Sequence, residues 1–122
     1  MQKINLEQLG RYLDARSDVI GAVVFGSAKD GMVREGGDLD LGVYFSRRLK
    51  SEEKIEFLVE VAAAAEFDVV DLVDLASADP ILAFEALSGR FVSRSSPSQI
   101  AELAARVSRE YEETMARLSA AA

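Results

Sequence analysis

The sequence predicts an α/β (α+β) fold in which a small mixed β-sheet of three to four strands is flanked by helices. Apolar runs of strand length alternate with stretches whose apolar residues recur at helical spacing. A full helix separates the second run from the third, and such a crossover is typical of parallel neighbours in one sheet. At 122 residues, the chain is expected to form a single domain over residues 1–122.

The first half of the chain is predicted to alternate helix and strand. Residues 6–16 are expected to be helical, because leucines recur at helical spacing behind the capping residue Asn5. The apolar, β-branched run Val19–Phe25 suits a buried strand. Residues 28–35 are expected to form a short helix or a loop, with Ser27 as its N-cap. Asp38–Phe45 is the second predicted strand.

The second half continues the alternation. A serine followed by two glutamates and an apolar stripe indicates a helix from Ser51 to about Ala65. Residues 67–75 form the third predicted strand, and an Asp-Pro pair then opens a helix over 81–87. A short edge strand is expected at 91–93, followed by a last helix from about 96 to 118.

Composition excludes several functional classes. A net charge of −7 argues against a stand-alone nucleic-acid binder, whose affinity would depend on neutralising phosphates. Cysteine is absent, which excludes disulfides and thiolate chemistry. Histidine is absent too, so any metal site must consist of oxygen ligands, which favours magnesium or manganese. No long apolar run or signal-peptide core is present, so a cytoplasmic protein is expected.

One pattern carries the chemistry: an apolar strand ends in Gly26-Ser27, and Asp38-x-Asp40 opens the next strand ten residues later. Side chains alternate along a strand, so Asp38 and Asp40 share a face. Two neighbouring carboxylates repel each other and need a cation, for which Mg²⁺ is the natural choice. The Gly-Ser turn offers backbone N–H groups and a hydroxyl that can cradle a phosphate.

A third carboxylate is expected on the third strand, which offers Asp68, Asp71 and Asp74. Solvent can reach Asp68 near the start of the strand and Asp74 near its end. Asp71 is mid-strand and needs a partner, which favours it as the residue that joins the first two aspartates.

Together, Gly26-Ser27 and Asp38-x-Asp40 resemble the motif of the nucleotidyltransferase superfamily that includes DNA polymerase β and kanamycin nucleotidyltransferase. The stretch of sequence that begins at Val70 and contains Asp71 resembles the family's third metal-binding strand. The shortness of the chain resembles the minimal nucleotidyltransferases, which are the MNT antitoxins of HEPN/MNT toxin–antitoxin pairs.

The resemblance implies a palm-like fold that uses ATP and two Mg²⁺ ions. It implies that Asp38, Asp40 and Asp71 are the catalytic residues and the metal ligands, and that Gly26 and Ser27 bind the nucleotide's phosphates. The implied partner is a HEPN-type ribonuclease toxin that receives AMP on a tyrosine. Two other functions stay open: a non-catalytic antitoxin that masks the toxin, or a catalytic subunit that modifies a small molecule or RNA with a helical partner.

The chain departs from the family pattern at two places. Where relatives often carry an arginine after Gly-Ser, this chain has Ala28 and Lys29, and where a serine often precedes the first aspartate it has Gly37. Lys29 and Arg34 are the cations near the motif. Each is interpreted either as a phosphate contact or as a solvated surface residue.

Overall fold

A four-stranded mixed sheet forms the centre of the computed structural model, which describes residues 1–121. The helices and strands, in chain order, are β1 (Gln2–Lys3), α1 (Leu6–Asp14), β2 (Val19–Phe25), β3 (Met32–Val33), β4 (Leu39–Phe45), α2 (Ser51–Ala65), β5 (Val70–Asp74), α3 (Pro80–Leu87), β6 (Arg90–Arg94) and α4 (Pro97–Ala121). The main sheet has the order β5-β4-β2-β6. Strands β4 and β5 are parallel, whereas β2 pairs antiparallel with both β4 and β6. The expected mixed sheet with a helical crossover is therefore confirmed.

Helices cover both faces of this sheet. One apolar cluster joins α1 and α2 to the side chains of β4 that alternate from Leu39 to Phe45. The other cluster joins α3 and α4 to Val23 and Phe25 of β2 and to Val73 of β5. Asp40 is paired with Phe25 across the two strands, which places its side chain on the face covered by α3 and α4. The functional motif therefore lies between the sheet and these two helices.

The predicted boundaries agree best where burial or capping determines them. Strand Val19–Phe25 has the predicted limits and is buried at every position. Helix Ser51–Ala65 also has the predicted limits. The third strand is shorter than predicted, because only Val70–Asp74 pairs with β4. Strand β6 lies at the sheet edge as expected.

The expectation for residues 28–35 was wrong in part. A single turn of 3₁₀ helix spans Gly26–Ala28, and Phe25, not Ser27, occupies its N-cap position. Strand β3 then pairs antiparallel with β1, forming a two-stranded sheet that the sequence did not predict. Gly31, at φ +90°, makes the turn into β3. Within residues 1–121, no helix combines the length and the apolar character needed to cross a membrane.

Candidate functional site

The three predicted carboxylates come together at one end of the main sheet. Asp40 and Asp71 are partners in the parallel register of β4 and β5, so their side chains extend from the same face. Asp38 immediately precedes β4. One carboxylate oxygen from each of these residues lies within 4.8 Å of the others. The structure therefore brings together three residues from two sequence segments.

The electrostatics of this cluster are unfavourable without a cation. Partial burial, together with the negative charges of Asp38, Asp71 and Glu85, raises the pKa of Asp40 to about 6. Asp38 and Asp40 are half-buried, whereas Asp71 is exposed to solvent. All three groups are hard oxygen donors, which is the ligand type that Mg²⁺ prefers. The residues present thus fit a magnesium site.

Gly26 connects this cluster to the turn after β2. Its φ of +69° favours glycine, and a Cβ at this position would lie 2.5 Å from Oδ2 of Asp40. The Gly26 backbone is therefore in direct contact with the Asp40 carboxylate. Any larger residue would push the turn and the carboxylate apart.

Ser27 follows on the exposed side of the turn. Because the first N–H groups of a helical turn lack partners within that turn, the segment after Phe25 presents donors beside the carboxylates. The predicted capping role of Ser27 is wrong, since Phe25 holds that position and no side chain caps the turn.

Two cavities lie around the site, one at Asp40 and one at Gly26. The first, of about 510 Å³, is lined by Asp40, Asp71 and the start of α3. The second, of about 420 Å³, lies beside Gly26 and Lys29 and is bounded by Phe84 and Tyr111. Glu85 lines both cavities. The carboxylates of Asp40 and Asp71 thus open into the first cavity, and Glu85 separates them from the second.

The other candidate residues lie outside the carboxylate cluster, although Asp74 lines the same cavity as Asp40 and Asp71. Asp68 and Arg34 line a separate cavity with Gly37. Asp74 accepts a hydrogen bond from the backbone N–H of Ala76, at the turn after β5. Lys29 lines the same cavity as Gly26, and Arg34 does not.

Sequence reasoning missed Glu85 and Phe84, which border the site from α3. In the sequence, the apolar residues of α3 indicated only a helix packed on the core. The position of Glu85 and Phe84 at the site is evident only from the packing of α3 beside Phe25. A glutamate next to an exposed aromatic residue, one helix after the third carboxylate, was the available signal.

Solved structures with the same fold belong to toxin–antitoxin complexes. A chain in the crystal structure of a toxin–antitoxin with AMP-PNP is 24% identical, with 95% of this chain and 91% of that chain covered and a TM-score of 0.74. A second match is a chain in the structure of the tri-AMPylated Shewanella oneidensis HEPN toxin in complex with MNT antitoxin. It is 23% identical, with 95% of this chain and 91% of that chain covered and a TM-score of 0.72. A chain of the MntA–HepT toxin–antitoxin is 21% identical, with 95% and 92% covered and a TM-score of 0.72. At these identities the likeness shows a shared fold.

Sequence comparison identifies the family directly. None of the curated proteins matches the chain. Residues 7–98 match the family model described as polymerase beta, nucleotidyltransferase. This segment includes the Gly-Ser turn, all three carboxylates and all four strands of the main sheet. The chain therefore belongs to the polymerase beta nucleotidyltransferase family.

Proposed function

We propose that this chain is a Mg²⁺-dependent nucleotidyltransferase antitoxin that transfers AMP from ATP to a tyrosine of a HEPN-type toxin. The observation that carries the proposal is the cluster of Asp38, Asp40 and Asp71 against Gly26 in a member of this family. Solved chains with the same fold come from a toxin–antitoxin complex with AMP-PNP and from a complex with an AMPylated HEPN toxin. These relatives support ATP as the nucleotide and a protein as the acceptor.

The carboxylates would hold two Mg²⁺ ions. Asp38, immediately before β4, Asp40 within it and Asp71 of β5 are the residues that would hold them. When bound, the ions neutralise phosphate charge and lower the pKa of an attacking hydroxyl. Asp71 is the exposed member of the cluster, so we assign it to the side from which the acceptor arrives.

Gly26 and Ser27 would hold the β- and γ-phosphates through backbone N–H groups and the serine hydroxyl. Because Gly26 contacts Asp40, this turn fixes the triphosphate relative to the carboxylates. The tyrosine oxygen then forms a bond to the α-phosphorus while the bond to the β-phosphate oxygen breaks. Pyrophosphate leaves, and Asp71 accepts the tyrosine proton. Positioning and charge neutralisation supply most of the catalysis in this class of reaction, which explains how it proceeds without histidine.

The acceptor is proposed to be a protein because Asp71 is open to solvent. Water must be excluded for transfer to outcompete hydrolysis, and a docked protein surface would exclude it. We treat residues 1–122 as one minimal nucleotidyltransferase domain, since both apolar clusters pack on the same sheet. Binding of nucleic acid by this chain itself is not proposed, given the net charge of −7. We propose a cytoplasmic location, because ATP is the proposed substrate and a ribonuclease is the proposed partner.

The test is to incubate the chain with Mg²⁺, ATP and the HEPN-type protein encoded beside it, and to measure the intact mass of both proteins. We expect an AMP-sized increment on a tyrosine of the partner. Asp40→Asn should abolish the increment because it removes one of the proposed metal ligands. Asp68→Asn is the matched control and should act as wild type, since Asp68 lines a different cavity.

Two results would contradict the proposal. Modification of the partner by Asp40→Asn at the wild-type rate would reject the metal site. Neutralisation of toxicity without any mass increment, unaffected by Asp38→Asn, would indicate an antitoxin that works by binding alone.

A further inference from the structure

Helix α4 extends well beyond the apolar cluster that it helps to form. Its buried residues are Leu103 and Val107, in the first half of its 25 residues. After Tyr111, only Thr114 is partly buried among the residues that the structure describes. This second half nevertheless carries Met115, which is 40% exposed, and Leu118, which is 54% exposed. The solvent-facing surface of a helix is typically polar, so two apolar residues there are unusual.

The exposed apolar side chains of α3 and α4 form one continuous surface. Tyr111, Met115 and Leu118 follow one another at spacings of four and three residues, so they share one side of α4. The ring of Tyr111 stacks on Phe84 of α3, with centroids 4.0 Å apart and planes 9° from parallel. Ile81 lies one turn before Phe84 and is 42% exposed. We call the surface formed by Ile81, Phe84, Tyr111, Met115 and Leu118 the α3–α4 ridge.

The ridge is continuous with the candidate site. Ile81, Phe84 and Tyr111 line the same cavity as Gly26 and Lys29 of the proposed phosphate-binding turn. A protein that covers the ridge would therefore also lie over Gly26, whose missing Cβ leaves room for the Asp40 carboxylate.

We propose that the α3–α4 ridge is the docking surface for the acceptor protein, which contacts it with an apolar patch bordered by basic side chains. This inference rests on the proposed function and names the surface that brings the acceptor to the site. The apolar centre of the partner's patch would contact the apolar side chains of the ridge. The basic border suits a chain with a net charge of −7 and the exposed carboxylates of Glu85 and Glu112 beside the ridge.

A second copy of this chain fits the ridge poorly. In a symmetric dimer the same patch meets itself, so Glu85 and the nearby carboxylate cluster would face their own copies. The ridge consists of five partly exposed side chains, which is too few to supply the about 800 Å² per partner of a standard interface. The rest of the interface must therefore come from polar surface around the site, which favours a partner of opposite charge.

A double variant on the ridge can be matched to one on the opposite face of the sheet. Met115→Gln/Leu118→Gln removes the apolar anchors and keeps residues that favour helix. Ile55→Gln/Val59→Gln makes the same change at an equally exposed apolar pair on α2, where the two residues are 64% and 65% exposed. Circular dichroism should show an unchanged fold for both variants.

The measurements are the Kd for the HEPN-type protein by calorimetry without nucleotide, the affinity for Mg-ATP, and AMP transfer by intact mass. We expect the ridge variant to bind the partner at least about tenfold more weakly and to transfer AMP more slowly, with unchanged Mg-ATP affinity. The α2 variant should match wild type in all three measurements.

Equal partner affinity in the ridge variant, or weakened affinity in the α2 variant, would overturn the docking surface. Weakened Mg-ATP affinity in the ridge variant would assign the ridge to the nucleotide instead and would overturn it as well. Loss of wild-type self-association in the ridge variant would show that a second copy occupies the ridge. Partner binding that depends on the ridge, without any AMP transfer by wild type, would reject the proposed function and leave the docking surface standing.

Discussion

Gly26 and Asp40 constrain each other at the scale of single residues. The glycine has a positive φ, and its missing Cβ leaves the space that the Asp40 carboxylate occupies. The phosphate-binding turn and the metal-binding strand are therefore positioned by one contact. The sequence indicated both motifs, but it could not show that they touch, because ten residues separate Ser27 from Asp38.

Gly26→Ala should abolish AMP transfer, because its Cβ would displace the Asp40 carboxylate. Gly36→Ala is the matched control: Gly36 also has a positive φ, at +79°, but a Cβ there meets nothing within 4 Å. Both variants should lose about 1 kcal/mol of stability from backbone strain. Only Gly26→Ala should lose activity, which intact-mass measurement checks. Equal activity in the two variants would contradict the contact.

Asp40→Asn should stabilise the metal-free protein at neutral pH. The folded state raises the pKa of Asp40 to about 6, so the stability that this group contributes is fully present below its unfolded pKa of about 3.9. That contribution is lost as the pH rises through about 6. The free energy of unfolding of the variant should therefore exceed that of wild type by about 1 kcal/mol at pH 7.5, after discounting for solvent screening. Near pH 4 the two free energies should be equal.

Thermal unfolding in EDTA at the two pH values measures this difference. A variant that is less stable than wild type at pH 7.5 would show that repulsion among the carboxylates is not the dominant effect.

At the scale of secondary structure, the parallel register of β4 and β5 determines the third carboxylate. Asp71 is opposite Asp40, whereas Asp74 is opposite Val43 and serves the turn after the strand. The predicted mid-strand position already favoured Asp71 over Asp68 and Asp74, which solvent can reach near the ends of the predicted strand. Periodicity could not give the register, which depends on how α2 returns the chain to the sheet.

Asp71→Asn should lower the affinity for Mg²⁺ by roughly tenfold or more, which corresponds to about 1.4 kcal/mol. Asp68→Asn and Asp74→Asn should bind Mg²⁺ as wild type does, because neither belongs to the cluster. Titration of each variant with Mg²⁺ by calorimetry checks the ranking. If Asp74→Asn lost more Mg²⁺ affinity than Asp71→Asn, the assignment of Asp71 as the third ligand would be wrong.

The bounds of a strand could be predicted from the sequence where the strand is long and buried. Val19–Phe25 could be predicted to the residue because every position is buried. Strands β1 and β3 have two residues each, which is too short for any periodicity. Their pairing joins Gln2 to Val33, a contact between distant parts of the chain that no local pattern records.

At the scale of the whole molecule, the two faces of the sheet have different roles. Helices α1 and α2 cover one face with an apolar cluster that includes much of β4. Helices α3 and α4 cover the other face and leave the carboxylates open at its end. The sequence predicted the helices, but the α3–α4 ridge became evident only once Phe84 was seen to stack on Tyr111.

The net charge of −7 leads to a prediction about association with the proposed partner. Raising the ionic strength from about 0.05 M to about 0.3 M should slow association roughly tenfold and leave dissociation almost unchanged, because long-range attraction is screened. Surface plasmon resonance at the two salt concentrations measures both rates. An association rate independent of salt would contradict electrostatic steering.

The parallel pairing of β4 with β5 has a consequence for how the chain folds. Strands β2 and β4 are close in sequence and pair without a long crossover, whereas the whole of α2 separates β4 from β5. We therefore expect Asp71 to join Asp38 and Asp40 late in folding, since non-local pairs carry the larger loop-closure cost. An ion held by all three carboxylates stabilises an arrangement that the folding transition state lacks. Magnesium should consequently slow the loss of the native state without hastening its formation.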